Sequence, residues 1–248
     1  MFRIPSLPRL LLVLAVILSG PAAEAALVIT GTRVIYPGEQ QEVTVQLKNN
    51  SQTPVLAQAW VDDGDENSSA AKAKSPFLLA PPVFRVNPQK GQSVRLRLLA
   101  KDLPQDRESL YWFNVLELPP KPDSAEVDGR NMLQLAFRTR IKLFYRPAGL
   151  RGADEAPQQI RWRLADAGDG KGQALEGHNP SKFHISFSEV ALAGQSRTAV
   201  GSGMLAPGET RQFPLPAGAP RPPADAKVEF SVINDFGGAV PVILPLGR

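Results

Sequence analysis

From residue 26 onward, apolar and polar side chains alternate with a period of two in one stretch after another, and no stretch keeps a helical period. Glu42-Val43-Thr44-Val45-Gln46-Leu47-Lys48 is the cleanest case, a half-buried strand running into the turn residues Asn49-Asn50-Ser51. The same pattern predicts strands at 55–61, 93–99, 110–116, 132–145, 159–164, 183–191 and 227–233. Pro37-Gly38, Lys90-Gly91 and Pro207-Gly208 punctuate them, as turns between antiparallel strands do. Short strands at this spacing predict an all-β fold of antiparallel sandwiches.

The stretch 132–145 is too long for an ordinary small sheet, and it stops at Arg146-Pro147-Ala148-Gly149, a natural hinge. Past the hinge the alternation weakens and Ala, Gly and Pro increase, which fits a second, smaller sandwich. A chain of 248 residues accommodates two such domains, and the expected division is 26–147 and 148–248. Residues 1–25 read as a cleaved export signal. Arg3 and Arg9 precede an apolar run from Leu10 to Leu18, too short to span a bilayer, and Ala23-Glu24-Ala25 offers small residues for cleavage.

Composition narrows the chemistry. There is no cysteine, and His178 and His184 are the only histidines, so thiolate zinc sites, cysteine nucleophiles and disulfide scaffolds are excluded. Losing Arg3, Arg9 and Glu24 with the leader takes the formal net charge from +4 to about +3. That excess comes with no dense Lys/Arg run, so nucleic acid is not an expected partner. No phosphate-cradling glycine loop, nucleophile elbow or ligand cluster is present, so neither cofactor, metal, small-molecule substrate nor enzymatic activity is expected. Asp62-Asp63-Gly64-Asp65-Glu66-Asn67 lacks calcium-loop spacing and reads as a solvated turn.

Three blocks carry a family resemblance. Leu103 to Pro119 (LPQDRESLYWFNVLELP) is the most specific, joined by Gly31-Thr32-Arg33-Val34-Ile35-Tyr36-Pro37 and Arg140-Ile141-Lys142-Leu143-Phe144-Tyr145-Arg146-Pro147. Asn179-Pro180-Ser181 and Asn234-Asp235-Phe236-Gly237-Gly238 add to them. With these blocks the chain resembles the periplasmic pilus-assembly chaperones of the chaperone-usher pathway.

The resemblance implies two immunoglobulin-like domains at an angle, with a cleft between them. It implies a periplasmic protein that caps pilin subunits by donor-strand complementation and delivers them to an outer-membrane usher. The open groove of such a subunit is an aggregation hazard, and strand addition covers it. The lending residues would be Leu133, Leu135 and Phe137. The same parity continues through Ile141 and Leu143, for which lending and burial in their own core both remain open.

By the same resemblance, Arg33 and Lys142 would hold the subunit's C-terminal carboxylate. Strict alternation puts Lys142 opposite the lending row, so strand twist or a bulge is expected to aim it. Glu108, Arg146 and Asp235 match an ion network between the domains, the alternative being three unrelated surface charges. The loop 121–131, without cysteine, looks closer to the short-loop members. Self-association of the free protein through the lending strand is a further expectation. The competing function is that of a secreted β-sandwich adhesin or binding module.

Overall fold

The computed structural model describes residues 26–100, 102–119, 135–167, 172–194, 197–223 and 225–247. Its first half is a two-layer sandwich. One layer holds β1 (Leu27–Ile29), β3 (Val43–Asn49), β5 (Phe77–Ala80) and β7 (Gly91–Leu98), in the order β1-β3-β7-β5. The facing layer holds β2 (Arg33–Pro37), β4 (Val55–Asp62), β6 (Val83–Val86), β8 (Ser109–Leu118) and β9 (Arg138–Arg146), in the order β2-β9-β8-β4-β6. All pairs are antiparallel except β2 with β9, which run parallel.

Alternation explains most of this packing. In β3, Val45, Leu47 and Asn49 turn inward while Thr44, Gln46 and Lys48 stay outside. Strand β8 departs from it, burying Phe113, Asn114 and Val115 in succession. Its far face is covered as well, because Arg138 on β9 and Asp62 at the end of β4 both bond to Asn114. Tyr36 closes one end of the core against Phe77, with ring centroids 5.3 Å apart.

The second sandwich holds β10 (Arg161–Asp166), β11 (Gln173–His178) and β14 (Thr210–Pro214) on one side. On the other lie β12 (Ile185–Ala193), β13 (Thr198–Leu205) and β15 (Lys227–Ile233). Strand β16 (Ala239–Gly247) joins them, pairing with β15 from Ala239 to Pro245 and then with β10 through Leu246 and Gly247. Trp162 centres the core, with Phe187, Phe213 and Phe230 at 5.5–6.2 Å between ring centroids. Fully buried Asn49 and Asn179 staple equivalent corners. Asn49 Nδ2 donates to the Thr53 and Val86 carbonyls, and Asn179 Nδ2 to those of Phe183 and Leu205.

Three sequence expectations need correction. The expected strand 132–145 begins only at Arg138: residues 132–134 lie outside the described residues, and Leu135–Phe137 precede the ladder. The strand expected at 159–164 starts at Arg161, because Gln159 ends a 3-10 turn over Ala156–Gln159. Strands β1, β2, β5, β6, β11, β13, β14 and β16 were not among those expected; Gly201 and Gly203 interrupt the period in β13, and Pro241 and Pro245 in β16.

Candidate functional site

Strand β9 lies between β8 and β2 for only part of its length. Arg33 to Pro37 of β2 pair with Lys142 to Arg146, whereas β8 pairs with β9 from Arg138 to Tyr145. From Arg138 to Ile141, β9 is therefore an open edge among the described residues. Its side chains divide by parity. Leu143 and Tyr145 are buried in the first core and Ile141 packs against it. Further up the same row, Phe137 is 61% exposed and Leu135 58% exposed. The Glu117 amide donates to the Phe137 carbonyl at 2.9 Å, so backbone pairing with β8 reaches Phe137 while its ring is bare. Leu133 lies outside the described residues, as does the loop 121–131.

From Lys142 to Arg146 the opposite parity of β9 faces the second domain. Phe144 stacks near His184 at 5.5 Å between ring centroids, and Lys142 Nζ donates to Ser186 Oγ at 2.9 Å. No register shift interrupts β9. The expected bulge is thus unnecessary, because the face opposite Phe137 is itself the cleft wall.

Arg33 and Lys142 are direct register partners on neighbouring parallel strands, which sets their backbones about 5 Å apart. Arg33 Nη1 donates to the Ile233 carbonyl at 2.7 Å, and its guanidinium lies 5.7 Å from the Phe144 ring centroid. Its Nε is buried with no acceptor among the described residues. An unmade bond of that kind costs about 1–3 kcal/mol. Burial lowers the Arg33 pKa, with Asp235 and Glu108 pulling the other way. Burial, then repulsion from Arg33 and Arg211, brings Lys142 down to about 8. Both cations sit where a negative group would relieve them.

Nearby carboxylates supply only part of that relief to Arg33, because Arg146 takes their hydrogen bonds. Arg146 meets Glu108 Oε1 at 2.7 Å and Asp235 Oδ2 at 2.6 Å, joining the end of β9 to the β15–β16 turn. The buried Glu108 also accepts the His184 amide at 2.9 Å, with His184 Nδ1 3.3 Å away. Glu108, Arg146 and Asp235 are thus in contact, and His184 is a fourth member that spacing along the chain did not suggest. The turn is built for its approach: Asn234 Oδ1 accepts the Phe236 and Gly238 amides. At Gly237, where φ is +85°, a Cβ would come within 2.7 Å of Thr32 Oγ1. Arg33, Phe144, Phe183, Ile233, Asp235 and Val242 contribute to the walls of a cavity of about 280 Å³ at this junction.

The acidic stretch after β4 also differs from expectation. Asp63 to Asn67 are exposed, as a solvated turn requires, but Asp62 is the last residue of β4 and completely buried. It pairs with Arg140 at 2.7 Å, across the sheet.

Residues 26–151 match the family model described as pili and flagellar-assembly chaperone, PapD N-terminal domain. Residues 155–243 match that of the pili assembly chaperone PapD, C-terminal domain. The chain is 45% identical to the probable fimbrial chaperone YadV of Escherichia coli (strain K12) over 219 residues, 87% of this chain and 88% of the relative. It is 40% identical to the chaperone protein FimB/FhaD of Bordetella pertussis (strain Tohama I / ATCC BAA-589 / NCTC 13251), over 89% of this chain and 88% of the relative. A crystal structure of the YadV chaperone superposes with a TM-score of 0.75 at 40% identity, covering 90% of this chain and all of that one. The SafB chaperone of Salmonella enterica, solved in complex with the SafA pilin, gives 0.72 at 27% identity, covering 91% and 99%.

Proposed function

The chain belongs to the PapD-type pili-assembly chaperones, and we propose that it captures pilin subunits by lending them the open edge of β9. Chaperones of the chaperone-usher pathway work in the periplasm, and SafB holds a pilin. One observation carries the reading. The edge strand at 138–141 has bare apolar side chains at one end and, at the other, two cations with no carboxylate partner among the described residues. A pilin subunit adding its last strand to that edge would satisfy the edge's backbone, seat Leu135 and Phe137 in the subunit's groove, and end at Arg33 and Lys142. Leu133 would extend the same row.

A terminal carboxylate suits the cleft end. It would accept from the Arg33 guanidinium and Lys142 Nζ, each charge-assisted bond contributing roughly 1.5–3 kcal/mol, and so set the register of the added strand. The Glu108, Arg146 and Asp235 network would hold the two domains at the angle that keeps this end open. Residues 1–25 would direct export and be removed, the domains would divide at 147/148, and an outer-membrane usher would receive the loaded chaperone. Assembly would draw on completion of the subunit's own fold rather than on a nucleotide.

The test compares two synthetic peptides copying a subunit's last strand, one with a free C-terminal carboxylate and one amidated. The free acid should bind at least about tenfold more tightly. Equal affinities would remove the carboxylate from the mechanism.

A further inference from the structure

The outward face of β9 carries cations at three alternate positions, Arg138, Arg140 and Lys142. Like charges at that spacing repel, and the segment from Arg138 to Ile141 is hydrogen-bonded on one side only. Left alone, such an edge would fray. A single buried carboxylate opposes this. Asp62 Oδ1 accepts from Arg140 Nη2 at 2.7 Å and from the Gly64 amide at 2.8 Å. Its Oδ2 accepts from Asn114 Nδ2 at 2.7 Å and Ser68 Oγ at 3.0 Å, with Arg138 Nη2 at 3.4 Å.

The arginines are held from below as well. Arg138 donates to Asn114 Oδ1 and to the Glu66 carbonyl, both at 2.7 Å, and lies 4.9 Å from the Trp60 ring centroid. Arg140 lies 4.1 Å from that of Trp112. Burial alone would raise the Asp62 pKa, but its bonds from Arg140, Asn114, Gly64 and Ser68 hold it below the ordinary carboxylate value.

We infer that Asp62 is a positioning residue for subunit capture. By drawing Arg138 and Arg140 onto the sheet, it keeps the open half of β9 extended and turns Phe137 and Thr139 to the opposite face before a subunit arrives. The inference rests on the strand-lending reading, and its contribution is preorganisation: the edge is ordered in advance, so less conformational freedom is lost on binding. It acts on the lending strand and leaves the carboxylate anchor untouched.

Asp62→Asn in the full mature chaperone tests it, read by peptide affinity and residue-resolved amide exchange. The free-acid and amidated peptides should both weaken by roughly tenfold, so that their affinity ratio stays at its unaltered value. Exchange of the Glu117 amide, bonded to Phe137, should accelerate at least about tenfold. That of the Gly38 amide, which donates to the Arg146 carbonyl at the far end of β9, should not change. Arg138→Gln leaves Asp62 paired with Arg140 and provides a milder variant that should shift the same readouts in the same direction. Unchanged affinity, or equal acceleration at Glu117 and Gly38, would overturn the inference and leave Asp62 as general support for the fold. Failure of the underlying reading looks different: Phe137→Asp would then capture a whole pilin subunit as well as the unaltered chaperone does.

Discussion

Arg33 and Arg146 both reach the junction of the two domains, from adjacent strands of one sheet, yet their surroundings differ. Arg146 meets two carboxylates at 2.6–2.7 Å, one from each domain, and its pKa is raised by them despite burial. Among the described residues Arg33 donates to the Ile233 carbonyl and keeps a buried Nε without an acceptor, and its pKa is lowered. A cation whose charge is matched inside the fold contributes to that fold. A cation left unmatched adds little to the fold, which is why Arg33 is the one proposed to bind something from outside. Residue type alone does not distinguish the two.

The largest effect should come from the matched side. Arg146→Ala leaves Glu108, whose side chain is 2% exposed, without its cation, and breaking such a pair costs about 3–5 kcal/mol. Thermal unfolding should show a loss of many degrees, and peptide capture should fall only as the domains lose their fixed angle. Stability equal to the unaltered protein would erase the contrast between the arginines.

Next is the lending row. Phe137→Asp places an unpaired charge where the subunit's groove would have to desolvate it, which should weaken capture by roughly a hundredfold or more. Because Phe137 is already bare in the free protein, the melting temperature should move by only about 2 °C. A large drop in melting temperature would assign Phe137 to the chaperone's own core.

Arg33→Ala and Lys142→Ala should do the reverse of Arg146→Ala. Each removes one charge-assisted bond to the carboxylate, a loss of roughly tenfold to a hundredfold in affinity, while the fold keeps its stability. The amidated peptide should be nearly indifferent to either change, and a similar loss for both peptides would show that the two cations act on something else.

The smallest effect is a pH dependence with opposite signs for binding and folding. A carboxylate beside Lys142 favours its charged form, so above about pH 8 binding must take up a proton. Affinity should then fall by up to tenfold per pH unit. Folding runs the other way. The folded pKa of Lys142 lies below its ordinary 10.5, so between about 8 and 10.5 the unfolded chain holds more protons and the free chaperone gains stability as pH rises. Titration of peptide affinity alongside melting temperature checks both signs, and Lys142→Arg should flatten the affinity curve because a guanidinium stays charged there.

Much of the fold was legible because strand alternation is a local property. Val45 and Leu47 face inward by parity alone, and Asn49-Asn50-Ser51 and Asn179-Pro180-Ser181 mark their corners with residues that bond to nearby backbone. Strands β13 and β16 were not legible, since glycines and prolines break the period while cross-strand pairing still holds them. Of the site, the residues of interest could be picked out through the family resemblance, but their surroundings could not.

What the sequence determined by itself was periodicity, turn chemistry, the absence of thiol chemistry and the set of charged residues available. Tertiary structure alone decided which charges met. Asp62 looked like one acid among several in a polar turn, yet it is buried between Arg138 and Arg140, which lie more than seventy residues further on. His184 joins Glu108 across a separation of 76 residues. The row 135–143 has one parity throughout, but Leu143 is buried and Phe137 is bare, because the domain's facing layer covers one end and not the other. The physical reason is common to all three: parity fixes the side of a strand on which a residue stands, whereas burial and pairing depend on what the rest of the chain brings to that side.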